Sequence, residues 1–137
     1  GRRLSAQRYL QAVEQMHRLG RAWAGFMTEY DLFLCPPVAR PFVRIGELST
    51  DGPLAPSLDD AIAFAPLAMV FNATGQPSMS VPLYIGEHGL PIGTMFTARF
   101  GEEDLLFRFG GQLERAYPWA TQRPHDLPGQ SRFRGST

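Results

Sequence analysis

Two short apolar runs separated by a turn form the centre of the hydrophobic pattern. The runs cover residues 79–85 and 92–98, and the segment from Gly86 to Gly89 between them contains the glycines and polar residues typical of turns. Pro91 stands just before the second run, where a strand tolerates a missing backbone N–H. The pattern therefore predicts two strands joined by a turn.

Helical periodicity lies on both sides of this strand pair. Ser5 is placed to cap a helix whose apolar residues recur at helical spacing as far as Tyr30. After that helix, the continuous apolar run over residues 32–35 predicts a short buried strand. Towards the other end, a helix is predicted over residues 102–117, because its first turn is acidic and Pro118 ends it.

The segment between the first strand and the strand pair combines a long loop with an interrupted helix. Residues 38–56 contain three prolines and two glycines without sustained periodicity, which predicts a loop longer than most connections. Ser57 and Asp60 resemble a capping box, so a helix is predicted over residues 58–70. Pro66 falls inside that helix and is expected to break or kink it.

Length and composition limit the class of protein. The 137 residues suffice for one domain, predicted over residues 1–120, with an extended tail rich in arginine, proline and glycine over residues 121–137. The zero net charge, and the absence of any apolar run of about 20 residues, predict no nucleic-acid or membrane partner. A single cysteine excludes an internal disulfide and suits a reducing cytoplasm.

Few side chains are candidates for chemistry. Cys35 could act as a nucleophile beside a histidine, but its place at the end of an apolar run favours a buried structural thiol. His17, His88 and His125 do not have the spacing of metal ligands, and no metal or cofactor is predicted. All 13 basic residues are arginine, which excludes any mechanism that uses a lysine amine. A general composition bias is the simpler explanation for the absence of lysine.

Five short motifs resemble, in order and spacing, the C-terminal end of the amidase signature family. They are Asn72-x-Thr74-Gly75-Gln76-Pro77, Ser80-Val81-Pro82, Gly89-Leu90-Pro91-Ile92-Gly93, Gln112-Leu113-Glu114 and Pro118-Trp119. Residues 30–36 also resemble the strand that precedes a proline in this family, so the resemblance covers nearly the whole chain. It implies an α/β fold in which about three strands of a larger mixed sheet are flanked by helices.

The resemblance also implies where the chemistry of the family lies. In the amidase signature family a lysine deprotonates a nucleophilic serine through a bridging serine, and these residues belong to the N-terminal two-thirds. This chain has no lysine and no Gly-Gly-Ser-Ser segment. No catalytic residue can therefore be assigned, and the chain alone is predicted not to hydrolyse amides.

The resemblance assigns a small set of binding and loop residues. Phe64, Ala65 and Met69 correspond to the lining of the acyl pocket, with plain core packing as the alternative interpretation. An apolar lining without charge favours a neutral, apolar acyl group in a small-molecule amide substrate. The loop that follows is expected to be held by its own hydrogen bonds rather than to touch substrate. Its residues are Asn72, Thr74, Gly75, Gln76 and Pro77.

Three hypotheses for function remain. The first is the C-terminal portion of an amidase-signature hydrolase, catalytically incomplete, whose exposed sheet edges and apolar faces lead to self-association. The second is a stand-alone binding or scaffold module, docking on a separate chain that carries the lysine and serines. The third, an independent cysteine hydrolase, requires a histidine within hydrogen-bonding reach of Cys35.

Overall fold

The computed structural model describes residues 4–49, 51–87 and 89–122. Most of the predicted tail over residues 121–137 lies outside the described residues, so the tail and the domain boundary stay predictions. The described elements are α1 (Ala6–Phe26), β1 (Phe33–Cys35), α2 (Leu54–Phe64), α3 (Pro66–Thr74), β2 (Ser78–Ile85), β3 (Pro91–Thr97) and α4 (Glu103–Ala116), with 3₁₀ turns at Met27–Glu29 and Trp119–Thr121.

The three strands form one sheet in the order β1-β3-β2. Both pairings are antiparallel, and Phe96 in the central strand lies opposite Leu34 on one side and Met79 on the other. Between β2 and β3, the N–H of Gly86 donates to the carbonyl of Leu90 at 2.9 Å. The prediction of about three strands flanked by helices in an α/β fold is confirmed.

Helices cover the sheet on both faces, and each face has its own apolar cluster. Leu106 of α4 packs with Val81, Phe96 and Ala98 on one face. On the other face, Cys35 and Met95 pack with Phe71 of α3, and Trp23 of α1 joins this cluster from its edge. The described part of the chain is therefore a helix–sheet–helix sandwich built around β3.

The predicted first helix is confirmed, with a change at its C-terminal end. The Ser5 hydroxyl accepts a hydrogen bond from the N–H of Arg8 at 3.3 Å, as expected of an N-cap. The helix ends at Phe26 rather than at Tyr30, and the chain tightens into the 3₁₀ turn that buries Met27. None of the described helices is long and apolar enough to cross a membrane.

The predicted helix over residues 58–70 is two helices in the structure. Pro66 begins α3, where its missing N–H would have had no partner in any case, so the predicted break is confirmed. The predicted capping box at Ser57 is wrong, because α2 already begins at Leu54. Ser57 thus lies inside α2, and its hydroxyl donates to the carbonyl of Pro53 at 3.1 Å.

Gly93 in β3 allows a close contact that another residue could not make. A Cβ atom at this position would lie 2.6 Å from the Ser80 hydroxyl oxygen and 3.0 Å from Cγ of Pro37. The rigid ring of Pro37 cannot move away as a flexible side chain would. By contrast, a Cβ atom at Gly25 in α1 would have no heavy atom within 4 Å.

These two glycines give a matched stability test. Gly93→Ala is expected to lower the free energy of unfolding by about 1–3 kcal/mol through overpacking. Gly25→Ala is expected to raise it by about 0.5–1 kcal/mol, because alanine favours a helix over glycine. Urea unfolding followed by circular dichroism measures both, and equal effects of the two changes would contradict the packing at Gly93.

Candidate functional site

The break between α2 and α3 brings the predicted pocket residues together. Phe64 is the last residue of α2, Ala65 forms the break, and the N–H of Met69 donates to the Ala65 carbonyl at 3.2 Å. All three residues are half-buried. The N–H of Ala39 donates to the Phe64 carbonyl at 2.7 Å, so the segment after β1 is attached to this break.

A cleft of about 470 Å³ lies beside the break. Its lining consists of Ala39, Arg40, Glu47, Leu48, Asp60, Ala63 and Phe64. Phe64 is the one predicted pocket residue in this lining, and Ala65 and Met69 are not part of it. The predicted role of all three residues in substrate binding stays a prediction.

The wall of the cleft opposite α2 is charged. The Arg40 guanidinium lies 5.8 Å from the centre of the Phe64 ring and pairs with the Glu47 carboxylate. That carboxylate also accepts a hydrogen bond from the N–H of Arg44 at 2.9 Å. The backbone hydrogen bond from Arg44, and then the hydrogen bond from Arg40, lower the pKa of Glu47 below its ordinary value.

Arg40, Glu47 and Asp60 line the cleft beside Phe64 but are not among the predicted site residues. Arg40 and Glu47 belong to the long loop, whose sequence has no periodicity that could indicate a direction for their side chains. The hydrogen bond between Ala39 and Phe64 joins residues far apart in sequence, and no local pattern indicates it. This cleft thus differs from the uncharged lining expected from the three predicted residues alone.

The five residues predicted to structure a loop are divided between the last turn of α3, which contains Asn72 and Thr74, and the loop over residues 75–77. Gly75 ends α3 with φ at 82°, and its N–H donates to the Phe71 carbonyl at 2.8 Å. The Thr74 hydroxyl donates to the Val70 carbonyl at 2.9 Å and also contacts the side-chain amide of Gln76, which is buried.

The end of the same loop is attached to the sheet. The carbonyl of Pro77 accepts a hydrogen bond from the N–H of Ala98 at 3.1 Å, directly after β3. Asn72 is exposed, and no hydrogen bond joins its side chain to another described residue. The loop-structuring role assigned to the whole set stays a prediction.

The candidate nucleophile and the histidines do not form a site among the described residues. Cys35 is 5% exposed, and burial raises the pKa of its thiol, which lowers the fraction of reactive thiolate. His17 lies exposed on α1, whereas His88 and His125 are outside the described residues. Within the part that the structure describes, no three metal-ligating side chains are close enough to hold an ion.

Comparisons with known proteins agree on one family. The family model for Amidase matches residues 1–107. The chain is 42% identical over 111 residues to a putative amidase, AmiC, of Mycobacterium leprae, covering 80% of this chain and 23% of that protein. It is 35% identical over 104 residues to the 6-aminohexanoate-cyclic-dimer hydrolase of Paenarthrobacter ureafaciens, covering 72% of this chain and 21% of that protein.

A solved structure has the same fold over most of the chain. It is the structure of a 6-aminohexanoate cyclic dimer hydrolase complexed with substrate, with a TM-score of 0.79 and 28% identity. The match covers 90% of this chain and 27% of that one. The chain thus spans about a quarter of the length of the relatives that it matches.

Alanine substitutions at Gly75 and Gly101 distinguish the cost of backbone strain from the cost of a side-chain contact. Both have φ near 80°, so alanine is expected to cost about 1–2 kcal/mol at each position. Gly75→Ala is expected to cost more, because its Cβ atom would lie 3.2 Å from Cε2 of Phe100, whereas nothing lies within 4 Å at Gly101. Urea unfolding of both variants measures the difference, and a smaller loss at Gly75 would contradict this packing.

The pKa of Glu47 tests its contacts with Arg40 and Arg44 in the cleft. Arg40→Gln is expected to raise the pKa of Glu47, but not to its ordinary value, because the Arg44 N–H remains. The lowered pKa stabilises the fold above the ordinary pKa of glutamate, and this contribution is lost as pH falls through the folded value. Carboxyl NMR shifts measure the pKa, and Arg18→Gln, which removes the exposed Arg18–Glu14 pair, is the control that should leave it unchanged.

Proposed function

Because the chain belongs to the amidase family, we propose that it forms the C-terminal portion of an amidase-signature hydrolase. The observation that carries this proposal is the family match over residues 1–107, together with the fold shared with a substrate-bound cyclic-dimer hydrolase. The order of the motifs between Asn72 and Trp119 supports the C-terminal position. The parent protein would hydrolyse the C–N bond of a carboxylic amide.

The catalytic groups of the parent hydrolase would lie outside this chain. In the proposed mechanism a lysine removes the proton of a serine through a second serine, and the activated serine attacks the amide carbon. Backbone N–H groups hold the oxyanion, and the amine leaves with the proton taken from the serine as the C–N bond breaks. Water then attacks the acyl-serine and releases the carboxylic acid, which restores the serine hydroxyl. The chain has no lysine and no Gly-Gly-Ser-Ser segment, so we infer that it is inactive by itself.

What the chain would contribute is scaffold and part of the pocket wall. We assign that wall to Phe64, Ala65 and Met69, which meet at the break between α2 and α3. The cleft beside Phe64 has both apolar and charged residues in its lining, which suits an amide with an aliphatic chain and hydrogen-bonding groups. The cyclic dimer of 6-aminohexanoate, named for two relatives, has this chemistry.

The same proposal includes the cellular location, the partners and the cofactor requirement of the protein. A single cysteine and a net charge of zero support a cytoplasmic location without nucleic-acid or membrane partners. The mechanism proposed for the parent needs no cofactor. Sheet edges and apolar faces that the chain does not cover itself would lead to self-association.

A stand-alone binding module is the second candidate function. The observation that favours it is the pair of apolar clusters, one on each face of the sheet, which is the arrangement of an independent domain. In that case the cleft beside Phe64 would bind a ligand without cleaving it.

Activity and native mass separate these candidates. The purified chain is expected to release no amine from small amides, including the cyclic dimer of 6-aminohexanoate. The native protein, captured from its source with an antibody against this chain, is expected to be several times heavier than 15.2 kDa and to cleave amides. Intact-mass spectrometry and an amine-release assay measure both.

Each other outcome points to a different function. Amide hydrolysis by the purified chain would contradict the proposal, and its loss in Cys35→Ser would favour a cysteine hydrolase. A native species of 15.2 kDa without activity would favour the binding module.

A further inference from the structure

The cleft beside Phe64 has unequal numbers of positive and negative side chains in its lining. Arg40 supplies one positive charge, whereas Glu47 and Asp60 supply two negative charges, so the lining has a net charge of −1. A concave site lined by one sign of charge concentrates ions of the opposite sign. The sign of this imbalance favours a cation as the occupant of the cleft.

Two of these three charges neutralise each other at one wall of the cleft. One oxygen of the Glu47 carboxylate accepts the N–H of Arg44 at 2.9 Å, and the other oxygen pairs with the Arg40 guanidinium. That guanidinium also lies 5.8 Å from the centre of the Phe64 ring. Both oxygens of Glu47 are therefore engaged, and Arg40 is held between a carboxylate and an aromatic ring.

Asp60 supplies the charge that no described residue neutralises. Its carboxylate forms no ion pair or hydrogen bond with another of the residues that the structure describes. Asp60, Ala63 and Phe64 stand at positions i, i+3 and i+4 of α2, so they share one face of that helix. The unpaired carboxylate thus lies on the same helix face as apolar side chains of the cleft.

The rest of the lining suits a short aliphatic chain. Its apolar surface comes from Ala39, Leu48, Ala63 and Phe64. The cleft volume of about 470 Å³ lies within the range of roughly 300–1,000 Å³ that is typical of small-molecule sites. A ligand with a cationic head on an aliphatic chain would pair with Asp60 and cover apolar surface at the same time. A primary ammonium group fits, because it presents three N–H donors on a small head.

We propose that this cleft binds the primary ammonium group of an aliphatic amide, with the Asp60 carboxylate as its partner. The assignment rests on the proposed function for the amide, and it adds the charge of the substrate. The parent hydrolase would then prefer amides whose acyl chain ends in an ammonium group over neutral amides of the same length. Asp60 would act in specificity, because it recognises the ammonium group and not the C–N bond. This preference differs from the neutral acyl group expected from the three predicted pocket residues.

Two amides of equal chain length, 6-aminohexanamide and hexanamide, test the proposal on the purified chain. They share the same amide group, and only the first carries an ammonium group. In NMR titrations near neutral pH, 6-aminohexanamide is expected to bind at least about threefold more tightly, the size expected of an exposed ion pair. The backbone resonances of residues 60–64 are expected to shift as 6-aminohexanamide is added, because these residues carry the α2 side of the cleft.

Two neighbouring aspartates of α2 give the matched variants. Asp60→Asn removes the carboxylate in the cleft, whereas Asp59→Asn removes an exposed carboxylate that is not part of the lining. The preference for 6-aminohexanamide is expected to disappear in Asp60→Asn and to remain in Asp59→Asn. Both substitutions replace a carboxylate by an amide of the same shape on the same helix, so an effect on folding alone would be similar in the two variants.

Three results would overturn the proposal. The first is equal affinity of the wild-type chain for the two amides, and the second is a set of shifts that leaves the cleft lining unchanged. The third is an equal effect of the two substitutions, which would mean that any surface carboxylate attracts the ammonium group. Binding by the purified chain does not require amide cleavage, so it is independent of amine release by the longer native form. Failure of the ammonium site and failure of the proposed function are therefore distinguishable.

Discussion

The structure depends on the C-terminal part of strand β3, where Met95, Phe96 and Thr97 are paired on both edges of the strand and buried. Successive side chains of a strand point to opposite faces, so Met95 enters the cluster beneath α3 and Phe96 enters the cluster beneath α4. Thr97 is fully buried, and its hydroxyl is paired with that of Ser78 at 2.8 Å, so the polar atom is satisfied. Both helical layers are therefore positioned by one seven-residue strand.

The candidate site is attached to the sheet through the two ends of α3. Pairing of Cys35 with Met95 fixes the end of β1. Four residues later, the N–H of Ala39 donates a hydrogen bond to the carbonyl of Phe64, just before α3 begins. After α3, the Pro77 carbonyl accepts the N–H of Ala98 at the end of β3. The predicted pocket and loop residues thus lie on α3 or within three residues of its ends, and both ends are held by the same sheet.

Local sequence patterns predicted the helices and strands, whereas the lining of the cleft depends on contacts between distant segments. The apolar runs that contain Val81 and Phe96, the cap at Ser5 and the break at Pro66 are visible in the sequence, because each depends on residues close in the chain. The error at Ser57 has the same origin, since a capping motif does not say whether the helix has already begun. The approach of Arg40 to Phe64 follows from one backbone hydrogen bond between distant segments, which periodicity cannot reveal.

Helix α1 leaves most of its apolar side chains uncovered, which agrees with the proposed role as part of a larger protein. It has 21 residues, none of them fully buried, and it is held at its C-terminal end by ring contacts of Trp23 with Phe33 and Phe71 at 5.0 and 5.1 Å. Most helical stability in proteins comes from packing of an apolar face, and Leu10 and Met16 on α1 stay 64% and 45% exposed. Leu34 on β1 is exposed as well, so uncovered apolar side chains lie on both α1 and the strand that follows it. Exposed apolar surface of this kind is expected where the remainder of a larger protein covers it, as in the proposed function.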